Sequence, residues 1–323
     1  MRTVVVGAGA IGGVIGGRLF QHGHEVVLVA RGAHGEAMRA GGMLLRDPDD
    51  EVVLPIPTQL EPAAVDWRDD DTVVVATKTQ DAGAVLDALA ATAPPSVHIV
   101  CATNGVETER LALRRFARVS GMCVMMPGAH LEPGIVEAYS TPVTGILDLG
   151  RVPSGHDEAD GAVADSLEAS TFSSRPVDDV LRVKRAKLLM NLGNVLEAAC
   201  GPDGRGGEIW NAARAEAEAS FTAAGLDWAT DEEDKARRAG LLTMRPIRGA
   251  RRGGGSTWQS LARGTGATEV DYLNGEIVLV GRLHGVPTPV NAALQRLAIE
   301  LATTGAPPAS RTYEQLLVAT GLG

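Results

Sequence analysis

Thr3-Val4-Val5-Val6-Gly7-Ala8-Gly9-Ala10-Ile11-Gly12 reads as a strand, a tight turn and the start of a helix. Each glycine has its own task in that reading. Gly7 permits the turn, Gly9 lets the backbone approach a pyrophosphate, and Gly12 lets the helix pack closely on the strand, so that the first helical amides and the helix dipole face the anion. A helix-compatible run from Val14 to Phe20 follows, and a second strand, Glu25-Val26-Val27-Leu28-Val29, arrives at the spacing of a βαβ unit. The stretch is a dinucleotide-binding fingerprint, supplied by Gly7, Gly9, Ala10, Ile11 and Gly12. A secretory leader is the rival, because small or apolar residues follow Arg2. The five glycines from Gly7 to Gly16 would weaken a leader helix, whereas the strand-turn-helix order accounts for their placement.

The choice of dinucleotide depends on the end of the second strand. Enzymes that use the unphosphorylated cofactor place an acid there to hold the ribose hydroxyls. Here the chain has Ala30 and Arg31. A guanidinium can pair with a 2′-phosphate that a carboxylate would repel, which favours NADP(H). The alternative is a solvated arginine in a loop shared with His34.

Composition narrows the remaining classes. The chain has 323 residues and 45% apolar content, enough for two domains with separate cores. A formal charge of −10 and 3% aromatic residues leave neither a basic face nor stacking platforms, so nucleic acid is not an expected partner. Apart from the first stretch, no apolar run has the length of a membrane span. Cys101, Cys123 and Cys200 are odd in number, widely spaced and without metal-ligand spacing, as expected of reduced thiols in a cytoplasmic protein with no bound metal.

Val52-Val53-Leu54, Thr72 to Ala76 and Val97 to Cys101 read as further strands, with a helix from Ala82 to Ala91 between the last two. Short β-branched runs alternating with helices indicate a doubly wound parallel sheet whose ligands sit at the carboxyl ends of strands, where Lys78 and Asn104-Gly105 fall. Strands around Ile135 to Tyr139 and Thr144 to Leu149 extend this domain, and Arg151 to Gly161 has the composition of a surface loop. From about Val177 helix formers dominate, as in Ala212 to Ala224 and Ala292 to Thr303. The expected organisation is an α/β, Rossmann-type domain over 1–176 and an all-α domain over 177–323.

Two segments of the helical half carry candidate chemistry. In Lys187 to Leu196, an α-helix would set Lys187, Asn191 and Asn194 on one face of an otherwise apolar helix. Such a stripe costs stability unless something hydrogen-bonds to it, and a substrate is one candidate. The other reading has Lys187 snorkelling to water and the asparagines bonding backbone. Thr268-Glu269-Val270-Asp271 has the form of a helix N-terminal cap, which Glu269 could serve without further function.

The glycine turn, Lys78, Asn104-Gly105, Lys187 with Asn191, Ser256-Thr257, Thr268 to Gly275 and His284 to Asn291 occur in the order, and at about the separations, that resemble the ketopantoate reductase family (2-dehydropantoate 2-reductase). The resemblance spans almost the whole chain. It implies a two-domain reductase delivering hydride from NADPH to the C2 ketone of ketopantoate, toward pantothenate and coenzyme A, with the cleft between domains as the site. It also implies roles. Lys187 protonates the developing alkoxide, Glu269 positions that lysine and the substrate, Asn104, Asn191 and Ser256 or Thr257 bind substrate oxygens, and Lys78 lies near cofactor and substrate. A lysine ammonium suits its part, since it can stabilise a negative oxygen and then surrender a proton.

The chain departs from the family where Asn194 follows Asn191 by three residues instead of four, and where Trp258 and Leu261 stand near Ser256. Arg245, Arg248, Arg251 and Arg252 suggest either a solvated loop or a clamp for a larger anion. A paralogue acting on another carbonyl or imine, and a non-catalytic NADP-binding regulator, are the alternative functions; retention of Lys187 and Glu269 argues against the regulator. A homodimer is compatible with the sequence.

Overall fold

A computed structural model describes the backbone of residues 1–323 and every side chain except that of Asp203. Contacts divide the chain into unit 1, Met1–Lys184 with Asp231–Arg252, and unit 2, Arg185–Thr230 with Gly253–Gly323.

Unit 1 begins with β1 (Thr3–Val6), α1 (Ala10–Gln21), β2 (Val26–Val29), α2 (Gly32–Gly41), β3 (Met43–Arg46), β4 (Glu51–Leu54) and β5 (Thr58–Gln59). It continues through β6 (Thr72–Val75), α3 (Thr79–Thr92), β7 (His98–Cys101), α4 (Glu107–Leu113) and β8 (Val119–Met125). The main sheet runs β13-β12-β8-β7-β6-β1-β2-β5, where β12 is Gly145–Arg151 and β13 is Phe172–Ser173. Its strands from β5 to β8 are parallel, while β12 runs against its neighbour β8 and β13 runs with β12. The sheet order reverses between β1 and β6, the place where doubly wound sheets bind ligands. A second sheet, β4-β3-β10-β9, adds β9 (Gly128–Ala129) and β10 (Ile135–Ala138).

Alternate residues of the central strands enter different cores. Val5, Val74 and Val100 pack with Val14, Ile15 and Leu19 of α1, while Val4, Val6, Val73, Val75 and Ile99 pack with Leu86 and Leu89 of α3. Because both faces are covered, these strands are unbroken apolar runs. Only part of the segment from Arg151 to Gly161 is a loop. Arg151 ends β12, and Asp157 caps α5 (Glu158–Glu168) by accepting from the Ala159 and Asp160 amides while the Asp160 side chain accepts from the Asp157 amide.

Asp160 also accepts from Ser120 Oγ at 2.5 Å, and His98 Nε2 lies 2.8 Å from that hydroxyl, all three side chains being buried. Burial pushes the Asp160 carboxyl up, but its bonds with His98, Ser120 and the Asp157 amide outweigh this and hold it below the ordinary range. The resulting stabilisation is present above the ordinary carboxylate pKa, about 4, and is lost as pH falls through and below that value. Urea midpoints measured from pH 6 to pH 3 should therefore fall less steeply for Asp160→Asn than for the parent; equal slopes would remove Asp160 from the acid response.

The chain enters the helical unit along α6 (Val180–Asn191), whose first residues, through Lys184, group with unit 1. α7 (Asn194–Cys200) and α8 (Gly207–Ala223) follow in unit 2, but α9 (Asp231–Arg238) and β14 (Leu242–Met244) group with unit 1. Contacts thus group the chain discontinuously, where the sequence pattern leads one to expect a single boundary after residue 176. β14 pairs with β11 (Ser140–Pro142), and Arg237 donates two 2.7 Å bonds to buried Asp148. Unit 2 resumes with α10 (Ser256–Ala262), α11 (Asn274–His284), α12 (Pro289–Thr303) and α13 (Tyr313–Thr320), as expected of an all-α domain.

Arg245, Arg248 and Arg251 are exposed, as the solvated-loop expectation has it. Arg245 pairs with Asp49 and Arg248 with Glu51, both acids lying at the β3–β4 hairpin, while Arg252 donates to the Gly128 carbonyl. Acids of unit 1 pair with Arg245 and Arg248, and pairs this exposed contribute little to stability.

Candidate active site

The glycine turn has the expected geometry. Gly7 has φ +95°, and a Cβ there would meet Thr77 at 2.7 Å; a Cβ on Gly12 would come within 2.2 Å of the Gly7 carbonyl. Gly9 is different: its Cβ would meet only His130, at 4.0 Å, so the backbone there is open to close approach. Ala10 and Ile11 open α1, whose first turn carries no acid. Unpaired first-turn amides and an open glycine fit a pyrophosphate.

His34 braces this turn from α2. Its Nδ1 accepts from the Gly134 amide at 2.9 Å, so Nε2–H donates to the Ala8 carbonyl at 2.8 Å. The loop expected around His34 is in fact α2, with Arg31 as its N-cap residue. Arg31 is 78% exposed and lies 3.1 Å from Asp81 of α3. A pair this exposed contributes little and exchanges readily for another anion.

Arg31, Lys78 and Asn104 all follow the carboxyl ends of their strands β2, β6 and β7. Lys78 is the N-cap residue of α3, and Thr79 Oγ1 donates to the Asn104 carbonyl at 3.4 Å. Lys184, which the sequence reading passed over, lies here as well. Its ammonium donates to the Glu109 carboxylate and, at 2.9 Å, to the Thr103 carbonyl, with Lys184 and Glu109 3% and 0% exposed. Cys101, at the end of β7, is buried; burial and the Glu109 charge push its thiol well up, against the opposing effect of Lys184.

In unit 2, Lys187 is half-buried and Asn191 buried, one turn apart on α6. Asn194 is not the next member of one helical stripe. α6 ends at Asn191, a Leu192-Gly193 turn intervenes, and Asn194 opens α7, where a Gly193 Cβ would meet the Arg205 carbonyl at 2.8 Å. Ser256 and Thr257 open α10, Ser256 half-buried and Thr257 buried. The preceding Gly255 donates its amide to Glu197 of α7, and its Cβ would lie 3.5 Å from Asn194 Oδ1, so the openings of α7 and α10 adjoin.

Thr268 does not cap a long helix. Glu269, 6% exposed, precedes a 3₁₀ turn over Val270–Tyr272, and α11 starts only at Asn274. Burial pushes the Arg263 guanidinium down, and the Glu269 carboxylate opposes that shift. Other residues of these blocks do packing work. Asn274 Nδ2 donates to Asn291 Oδ1 at 3.1 Å, and Asn291 Nδ2 donates to the Ala213 carbonyl and to Glu216, each at 2.8 Å. This buried network joins α11, α12 and α8. Among the described residues, no group of three or more His, Cys, Asp or Glu side chains is placed to hold a metal, and no helix is long and apolar enough to cross a membrane.

Comparison with known proteins gives the same family for both units. Residues 3–153 match the family described as Ketopantoate reductase PanE/ApbA, and residues 179–302 match its C-terminal part. The 2-dehydropantoate 2-reductase of Archaeoglobus fulgidus is 28% identical over 304 residues, covering 92% of this chain and 96% of the relative. That of Pyrococcus horikoshii is 25% identical over 305 residues, with the same coverage. A PanE/ApbA family ketopantoate reductase from Ralstonia eutropha JMP134 superposes with a TM-score of 0.78 at 26% identity, covering 94% of this chain and 99% of that one. D-mandelate dehydrogenase with NADH and anilino(oxo)acetate shares the fold, with a TM-score of 0.80 at 21% identity over 94% of this chain and 99% of that one. The chain belongs to the ketopantoate reductase family of nicotinamide-dependent oxidoreductases.

Proposed function

We propose that this chain is an NADPH-dependent reductase of a small 2-oxo acid, with ketopantoate the first candidate and pantoate, a precursor of pantothenate and coenzyme A, the product. The supporting observation is the gathering of the glycine turn, Arg31, Lys78 and Asn104 along one carboxyl edge of the sheet, in a chain that also keeps Lys187 and Asn191 one turn apart on α6. The amides after Gly9 would hold the pyrophosphate, Arg31 the adenosine 2′-phosphate, and Lys78 would lie near cofactor and substrate. NADPH, when bound, supplies the hydride. Asn104, Asn191 and the hydroxyl of Ser256 or Thr257 orient the 2-oxo acid. Lys187 donates a proton to the carbonyl oxygen as the hydride reaches C2 and is reprotonated from water, while Glu269 positions Lys187.

A second reading is reduction of another carbonyl or imine. The departure from the family at Trp258 favours it: the ring packs on the Gly253-Gly254 backbone, where a Cβ on Gly253 would come within 2.4 Å of it, in the segment that leads into Ser256.

The test is NADPH oxidation across a panel of 2-oxo acids. Turnover of ketopantoate far above the other acids supports the first reading, and a different best substrate supports the second. Arg31→Ala in the same assay should weaken NADPH roughly tenfold or more and spare NADH, the loss expected for one charge-assisted contact. Equal weakening of both cofactors would remove Arg31 from the phosphate site.

A further inference from the structure

The buried pair of Lys184 and Glu109 has no part in the chemistry above, and stability alone explains it poorly. Desolvating an ammonium and a carboxylate costs several kcal/mol each, and well-packed apolar residues often serve equally well. The pair is also incompletely satisfied. Glu109 Oε2 and the buried Thr103 and Thr108 hydroxyls find no hydrogen-bond partner among the described residues.

An apolar pair could not grip backbone, and this pair does. Lys184 Nζ, oriented by Glu109, donates to the Thr103 carbonyl at 2.9 Å, and Thr79 holds the next carbonyl, that of Asn104. The following residue, Gly105, takes φ +72°, where the chain turns away. Two consecutive carbonyls are thus fixed by side chains from α6 and α3, and with them the point from which the Asn104 side chain leaves the backbone. Glu109 is in turn closely confined, since a Cβ on Gly121 of β8 would lie 3.1 Å from Oε1.

We infer that Lys184 and Glu109 are positioning residues for Asn104: the buried pair locks the Thr103–Asn104 segment in the orientation that hydride transfer requires. This rests on the reading of Asn104 as a substrate contact. The doubly neutral variant Lys184→Met/Glu109→Gln leaves no unpaired buried charge, and Lys184→Arg, which keeps a donor and the charge, is the conservative control.

Three readouts test the inference. In the cofactor-free protein, amide hydrogen exchange at 103–105 should accelerate in the double variant and stay near the parent rate in Lys184→Arg. With ketopantoate, or the fastest 2-oxo acid of the panel, kcat should fall by on the order of 10²-fold, as for an Å-scale misplacement, while NADPH affinity changes little. Finally, Asn104→Ala should cost much in the parent background and little in the double variant, because the two act through one feature. Additive losses, or unchanged exchange at 103–105, would overturn the positioning role while leaving Asn104 in place. If Asn104→Ala leaves turnover intact in the parent, the reading of Asn104 fails and the inference falls with it.

Discussion

Lys187→Ala is expected to lower kcat by on the order of 10² to 10⁴ with NADPH affinity nearly unchanged, the pattern of a group that acts in the transition state. Hydride arriving at C2 drives electrons onto the carbonyl oxygen, and an ammonium opposite that oxygen is worth most when its charge is greatest. Lys184, three residues earlier on α6, is a poor substitute, since its ammonium is already engaged by Glu109 and the Thr103 carbonyl. Initial-rate kinetics with a separate measurement of NADPH binding distinguish the outcomes. A variant that keeps most of its turnover would make Lys187 a side chain whose stem covers apolar surface and whose ammonium sits in water.

Arg237→Ala should destabilise unit 1 by roughly 2 to 4 kcal/mol. The Asp148 side chain is 4% exposed, and Arg237 grips both its oxygens while a third bond reaches Ser173 at 3.1 Å. Without that guanidinium, the buried carboxylate would keep, among the described residues, the ion pair with Arg175, 3.6 Å away and itself 62% exposed, which sets the loss below that of a wholly orphaned charge. Adding Asp148→Asn should recover part of the stability by removing the charge that was left behind. Thermal or urea unfolding of the three variants checks this, and an Arg237→Ala midpoint equal to the parent's would show that the pair contributes nothing net.

How far such features could be read from sequence depends on how local their causes are. The glycine turn was legible because its steric demands arise within a few residues and Thr77, and the central strands because burial on both faces leaves unbroken β-branched runs. The pairing of Lys187 with Asn191 followed from helical period alone. The same period failed at Asn194, because the Leu192-Gly193 turn stops α6, and the capping pattern failed at Thr268, where a 3₁₀ turn replaces a helix start. Lys184 with Glu109, Arg237 with Asp148 and β14 with β11 join residues too far apart in the chain for any local pattern to announce them. β14, with only three residues, has no periodicity to find. In the blocks around Asn274 and Asn291, these asparagines form a buried network, so family likeness there reflects packing as well as chemistry.

Because α9 and β14 group with unit 1 although residues 185–230 precede them, the Rossmann-type unit is unfinished when Lys184 leaves the ribosome. Until Arg237 has been synthesised, Asp148 has no guanidinium from α9, and β11 has an unpaired edge open to other chains. The same discontinuity governs recombination between relatives. A chimaera with one crossover near residue 184 separates Arg237 from the Asp148 it pairs with, whereas a helical domain exchanged as 185–230 together with 253–323 leaves both partners in the parent that supplied the sheet.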